Sequence, residues 1–218
     1  MKKVFVLVEG PTEEMFVKNV LTDFFTAKSI FLYPVLVRTR KERNGKMFKG
    51  GISSYGKIKK EILIMLNDSS KDLVTTMIDY YALPNDFPGL NELPEGIPYA
   101  KAEYLERMFK NDVSSDKFLP YLSLHEFESL LFSDVEAVNT YFGLLSCNSL
   151  SKALVDSDNN PELINDGYST HPSKRLKCAI PEYSKIIHGN ILAGNIGMSK
   201  ILESCLKFSK WIRTIEQW

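Results

Sequence analysis

Lys3 to Val8 is an apolar run rich in β-branched and aromatic residues, which predicts a first strand. The chain then turns through Glu9-Gly10-Pro11 into a segment with Phe16, Val17, Val20, Leu21 and Phe24 at helical spacing. Pro11 suits the first helical position, where its missing N–H costs nothing, and Glu13 and Glu14 put negative charge at the positive helix end. A second strand is predicted over Ile30 to Val37. Ser53-Ser54 then offers a cap for a helix with Ile58, Ile62, Met65 and Leu66 on its apolar face. Leu73 to Ile78 reads as a third strand ending in Asp79. A Pro-, Gly- and Asn-rich stretch from Tyr81 to Pro98 is long enough for a functional loop, and Ala102, Leu105 and Phe109 mark the helix after it. Phe118 to Leu124 predicts a fourth strand running into His125-Glu126-Phe127-Glu128. Past Asp134, which suits a helix cap better than a ligand, the pattern turns helical over Val138 to Phe142, then polar around Asp156 to Ser173, with short amphipathic segments near Ile201 to Cys205 and Trp211 to Ile215.

Strands alternating with helices predict an α/β fold, a parallel sheet with helices on both faces joined by right-handed crossovers. The expected organisation is a core over residues 1–145 and a small helical C-terminal appendage over residues 146–218, packed on that core. Ligands of such sheets bind just outside the carboxyl ends of the strands. Glu9, Asp79 and Glu126, far apart in sequence, all fall at that end.

Composition adds few constraints. A chain of 218 residues with 44% hydrophobic and 25% charged residues lies in the ordinary globular range. No apolar run approaches the roughly 20 residues of a membrane span. The Lys pair and short apolar stretch at the start read as a strand and not as a leader, so a cytoplasmic protein is expected. Cys147, Cys178 and Cys205 are too widely spaced for a metal knuckle or a disulfide framework and are expected as free thiols. With 27 basic and 27 acidic residues, any nucleic-acid binding must rest on a local patch.

Two carboxylates about 4 Å apart repel by roughly 4 kcal/mol at an effective dielectric of 20, so several at one rim either raise a pKa or recruit a divalent cation. Oxygen ligands without a nearby Cys or His pairing point to Mg²⁺ or Mn²⁺. Such ions can polarise a phosphoryl oxygen and activate water against a phosphodiester. Each acid also has a plainer reading: Glu9 as a turn carboxylate, Glu126 and Glu128 as first-turn helix acids. His125 reads equally as a hydrogen-bonded core residue or a catalytic one, and His171 and His188 have no partner legible in the sequence. The first turn carries no GxGxxG fingerprint and there is no Walker lysine, which argues against a nucleotide-cofactor oxidoreductase.

Val8-Glu9-Gly10 after strand one and Asp79 after strand three resemble the glutamate and aspartate motifs of TOPRIM domains, found in topoisomerases, bacterial primases and the overcoming-lysogenization-defect nucleases. The strings VEGPTEE, SYGKIKKEI, DYYALPNDFPG, LHEFESLLFSD and PSKRL, in that order along nearly the whole chain, resemble an uncharacterised family of TOPRIM-like proteins, the domain-of-unknown-function 4276 type. The resemblance implies a TOPRIM-like (Rossmann-like) fold. It also implies a Mg²⁺- or Mn²⁺-dependent nuclease role with Glu9 and Asp79 as catalytic residues, which Glu126 is expected to join from its place at the same strand end, and association with an ATPase (AAA or ABC type) in prokaryotic defence against phage. In one place the chain departs from the pattern: the TOPRIM Asp-x-Asp reads Asp79-Tyr80-Tyr81 here. Asp86, Glu126 or Glu128 is then expected to complete a metal set begun by Glu9 and Asp79, or the site is weak. An extended backbone at Glu126, with the helix starting close to Glu128, would let both glutamates face one ion.

Arg38, Arg40, Lys41, Arg43, Lys46 and Lys49 stand against one acid, Glu42, in a glycine-containing stretch. It reads either as a solvated loop or as a clamp on nucleic-acid phosphates. Lys174 and Arg175, with Lys177, form a smaller patch. The leading expectation is a nuclease acting on DNA or RNA; the alternative is a non-catalytic TOPRIM-like adaptor that binds the ATPase or nucleic acid.

Overall fold

The computed structural model describes residues 1–37, 52–164, 167 and 170–218. β1 (Lys2–Val8) is an interior strand, and its side chains alternate between two cores: Val4, Val6 and Val8 enter one, Leu7 the other. It pairs in parallel with β2 (Ile30–Leu36), Val8 opposite Leu36, and with β3 (Leu73–Asp79), Val8 opposite Met77. β2 is an edge strand, which is where Pro34 can be tolerated without breaking a ladder.

The predicted fourth strand is found as two short pieces, β4 (Phe118–Leu119) and β5 (Leu122–Ser123), both parallel to β3. Pro120, lacking an N–H, sits at the interruption, and threonines of β3 take over there. Thr75 Oγ1 donates to the Leu119 carbonyl at 2.6 Å, Thr76 Oγ1 donates to the Tyr121 carbonyl at 2.8 Å, and Tyr121 N–H donates back to Thr76 Oγ1 at 2.9 Å. This explains why a fully buried strand can carry two threonines.

The first helical segment runs as α1 (Pro11–Phe16), a π-helical turn (Val17–Leu21) and α2 (Thr22–Thr26). The extra residue in the π turn rotates the later apolar face by one position. Phe25, not the expected Phe24, is therefore buried, and Thr22 Oγ1 bonds the Val17 carbonyl. α3 (Tyr55–Leu66) and α4 (Pro98–Val113) cover the opposite face with Ile58, Ile62, Leu105 and Phe109.

After β5 a 3₁₀ helix (Phe127–Asp134) leads to α5 (Val135–Tyr141), capped by Asp134, whose Oδ1 accepts from Ala137 N–H at 2.9 Å. α6 (Asn148–Val155), α7 (Pro172–Ala179), α8 (Lys185–Ile196), α9 (Met198–Ser204) and α10 (Leu206–Gln217) follow. The C-terminal helices do more than dress a finished core. Phe208, Trp211 and Ile212 belong to the same buried cluster as Val4 and Val6, Trp211 stacks on Tyr121 at 4.4 Å, and its Nε1–H donates to Thr75 Oγ1 at 2.8 Å. Residues 146–218 therefore complete one face of the sheet. Among the described residues, no helix is long and apolar enough to cross a membrane.

In the loop after β3, Gly89 has φ +81°, and a Cβ there would stand 2.7 Å from Met108 Cγ on α4. Gly89→Ala is expected to destabilise the protein by roughly 1–3 kcal/mol through left-handed strain and that clash. The measurement is the urea midpoint, and an unchanged midpoint contradicts the strain.

Candidate active site

Parallel register brings the acidic residues to one rim. β1 ends at Val8 and β3 at Asp79, with Asp79 opposite Ser123 of β5, so Glu9, Asp79 and the 124–128 segment leave the sheet on the same side. Glu126 is extended, at φ −125° and ψ 159°, and the 3₁₀ helix begins at Phe127. The expected extended backbone at Glu126 is thus observed, with the helix one residue earlier than Glu128. Phe127 anchors the turn in the core against Phe16, ring centroids 4.9 Å apart. Glu128, just beyond, is 0% exposed.

Two further residues join this rim that their sequence positions did not single out as site groups. Glu13 of α1 is buried facing the cluster, whereas its neighbour Glu14 makes an outer pair with Lys18 at 2.6 Å. Lys185, the first residue of α8, places Nζ 2.9 Å from Glu128 Oε2 and 4.0 Å from Glu13 Oε1. α8 can come this close because Gly189 faces Phe127 and Thr12, where a Cβ would meet Phe127 Cε1 at 3.0 Å. Tyr183, itself buried, also borders Glu128.

The electrostatics follow from this burial. Desolvation, and then the Glu13 charge, push Glu9 up to about 7 against the opposing pull of Lys185 and a backbone hydrogen bond at Asp79. Asp79 is raised well above the usual carboxylate range by burial and by Glu13, Glu9 and Glu128, with Lys185 opposing. Burial also lifts Glu128 to about 7, Glu126 adding to it and Lys185 working against it. Burial alone would lower Lys185, but Glu128, Asp79, Glu13 and Glu126 outweigh it and hold the ammonium group firmly protonated. Glu9 Oε2 and Glu128 Oε1 are buried without a hydrogen-bond partner; the Lys185 contact to Glu128 Oε2 is an ion pair by distance but lacks hydrogen-bond geometry.

Glu126 stands apart from its neighbours. Its Oε2 accepts from Ser173 N–H at 2.8 Å and lies 3.3 Å from His171 Nδ1. Its Oε1 accepts from Ser173 Oγ and from Tyr81 Oη, each at 3.0 Å. Burial would raise this carboxyl, but Lys185, both Ser173 donors and His171 outweigh it and hold it below the usual range. Tyr81 thus donates to the same glutamate that binds the start of α7 through Ser173. His171 finds here the partner its sequence position did not disclose, and His188 finds one in Ser184 N–H at 2.9 Å. His125 is buried.

The remaining candidates are dispersed. Asp86 Oδ1 accepts from Tyr55 N–H at 2.8 Å at the start of α3 and is not among the charges acting on Glu9, Asp79 or Glu128. That oxygen of Asp86, one of the three acids expected to complete the metal set, serves the first turn of α3. Lys174 is exposed beside Ser173, next to the rim, while Arg175 and Lys177 are each tied to backbone carbonyls. Arg38, Arg40, Lys41 and Arg43 lie outside the described residues.

As a set of donors the rim suits a hard cation, being all oxygen with two buried oxygens unpaired. Among the described residues, however, no three such side chains already stand together closely enough to hold an ion, and Lys185 lies on Glu128.

The family model for a domain of unknown function (DUF4276) matches residues 8–216 of the chain. No curated protein and no solved structure matches it.

Proposed function

The chain belongs to the DUF4276 family, and within it we propose a divalent-metal-dependent phosphodiesterase acting on DNA or RNA, a nuclease of TOPRIM type. The observation that carries the reading is the convergence of Glu9, Asp79 and Glu128, from three separate chain segments, with buried unpaired oxygens at the carboxyl ends of a parallel sheet. Clustered carboxylates whose pKa values stay raised despite a neighbouring lysine are a common mark of a working site. Glu9, Asp79 and Glu128 would hold Mg²⁺ or Mn²⁺, which when bound supplies Lewis-acid polarisation of a phosphoryl oxygen and an activated water. Glu126 then works on the protein side: through Ser173 it holds the α7 N-terminus at the rim, which keeps Lys174 beside it as a contact for a phosphate.

A second reading is a non-catalytic adaptor, favoured by Tyr81 donating to Glu126 where a TOPRIM site has its second aspartate. An ATPase partner, a role in phage defence and a cytoplasmic setting are proposed from the resemblance of the motif strings alone.

The test is hydrolysis of single- and double-stranded DNA and RNA with Mg²⁺ or Mn²⁺, alone and with a chelator. Chelator-sensitive cleavage is expected. Replacing Arg40, Lys41, Arg43 and Lys174 with Ala should also weaken nucleic-acid binding and flatten its salt dependence by roughly one unit of slope per lost phosphate contact. Salt-dependent binding without any cleavage favours the adaptor, while the absence of both binding and cleavage removes the nuclease reading and leaves only an adaptor that binds the ATPase.

A further inference from the structure

The rim holds Glu9, Glu13, Asp79, Glu126 and Glu128 close enough to influence one another, and the ammonium group of Lys185 acts on every one of them. Its shortest contact is the 2.9 Å pair with Glu128 Oε2. The two partners differ in freedom. Glu128 is fully buried behind Phe127, with Oε1 unpartnered, and has nowhere to turn. Lys185 sits at the start of α8 on a long flexible stem, its side chain 35% exposed, and can swing its charge into water without disturbing the helix. A divalent ion and an ammonium group compete for the same anionic oxygens, and at contact distance they also repel each other.

We infer that Lys185 is the built-in counter-cation of the rim, and that a divalent ion binds there by taking Glu128 from it, so that Lys185 sets the affinity of the site for metal. The inference rests on the reading of the rim as a divalent-ion site. It assigns a role to a residue more than 50 positions beyond the nearest acid of the cluster, Glu128. Without an ion, Lys185 keeps a fully buried carboxylate from standing unpaired; when an ion arrives, the lysine is the partner that leaves.

The experiment is Mn²⁺ binding by calorimetry, together with thermal melting with and without Mn²⁺, on the full chain. Lys185→Met is expected to melt lower than the parent without the ion, to bind Mn²⁺ roughly tenfold tighter or more, and to recover its melting temperature when Mn²⁺ is added. Lys185→Arg should keep the parent's affinity. Should Lys185→Met fail to fold without the ion, folding on addition of Mn²⁺ supports the inference, and failure to fold in both conditions overturns it. Lys185→Met that binds Mn²⁺ no tighter than the parent, or stays destabilised in its presence, also overturns it. Asp79→Asn separates this from the reading beneath it. If Asp79→Asn loses Mn²⁺ binding while Lys185→Met matches the parent, only the role of Lys185 fails. If Asp79→Asn binds as the parent does, or the parent binds no Mn²⁺ at all, the rim is not the ion's site and both fail.

Discussion

Asp79→Asn is expected to lower divalent-dependent phosphodiester cleavage by roughly a hundredfold or more while raising the denaturation midpoint at pH 8. The activity loss follows from removing a charged oxygen from the proposed ion site, where even outer partners of a metal typically matter by about 10–100-fold. The stability gain has a separate origin. Asp79 is 6% exposed and surrounded by Glu13, Glu9 and Glu128, so folding with this carboxyl ionised is unfavourable. Asparagine has nearly the same shape and carries no charge. Glu9→Gln should behave alike, and Glu14→Gln serves as the control, because that carboxylate makes a surface pair worth about 1 kcal/mol or less. Parent-level cleavage by Asp79→Asn at saturating Mn²⁺ refutes the catalytic assignment, and a lower midpoint refutes the electrostatic one.

Stability should fall as pH rises from about 5 to about 8, opposite to the usual behaviour of a protein rich in paired carboxylates. Glu9 and Glu128 each titrate near 7 in the folded chain, against an ordinary glutamate value of 4.5. Between those values the folded state binds more protons than the unfolded one, so the unfolding free energy decreases with pH. The destabilisation is absent below about 4.5 and fully present above about 7. Both groups share Lys185, so their contributions do not add independently, and the combined loss is roughly 2–4 kcal/mol. Glu126, whose pKa is lowered, acts in the other direction: its stabilisation is present above 4.5 and is lost only as pH falls below that value. Urea unfolding at pH 5, 6.5 and 8 measures the slope. Glu128→Gln should flatten it, and saturating Mn²⁺ should reduce the loss above pH 7 if the ion takes up the freed charge. A slope that is flat or positive in the parent contradicts the burial-driven shifts.

The alternation of apolar runs was enough to read the α/β class, the extents of β1, β2 and β3 to within a residue or so, the helix start at Pro11 and the cap at Asp134. Each of these depends on neighbours a few residues away. Glu9 and Asp79 were legible for the same reason: a residue at the end of a predicted parallel strand lies at the ligand-binding rim whatever the rest of the chain does. Other features depended on packing between distant segments. The π turn that buries Phe25 in place of Phe24, and the break at Pro120 bridged by Thr75 and Thr76, are adjustments of local geometry to the layers above and beside them. Asp86 entered the candidate set only as one of three acids able to stand in for the aspartate missing at Tyr81, and its bond to Tyr55 N–H depends on the loop folding back over α3. Glu13, His171, Ser173 and above all Lys185 carry no local sign of their roles. Periodicity records which face of its own element a residue occupies, whereas electrostatic partnership depends on which elements meet. Glu128 and Lys185 meet only because Gly189 lets α8 close against Phe127, a contact that local sequence does not encode.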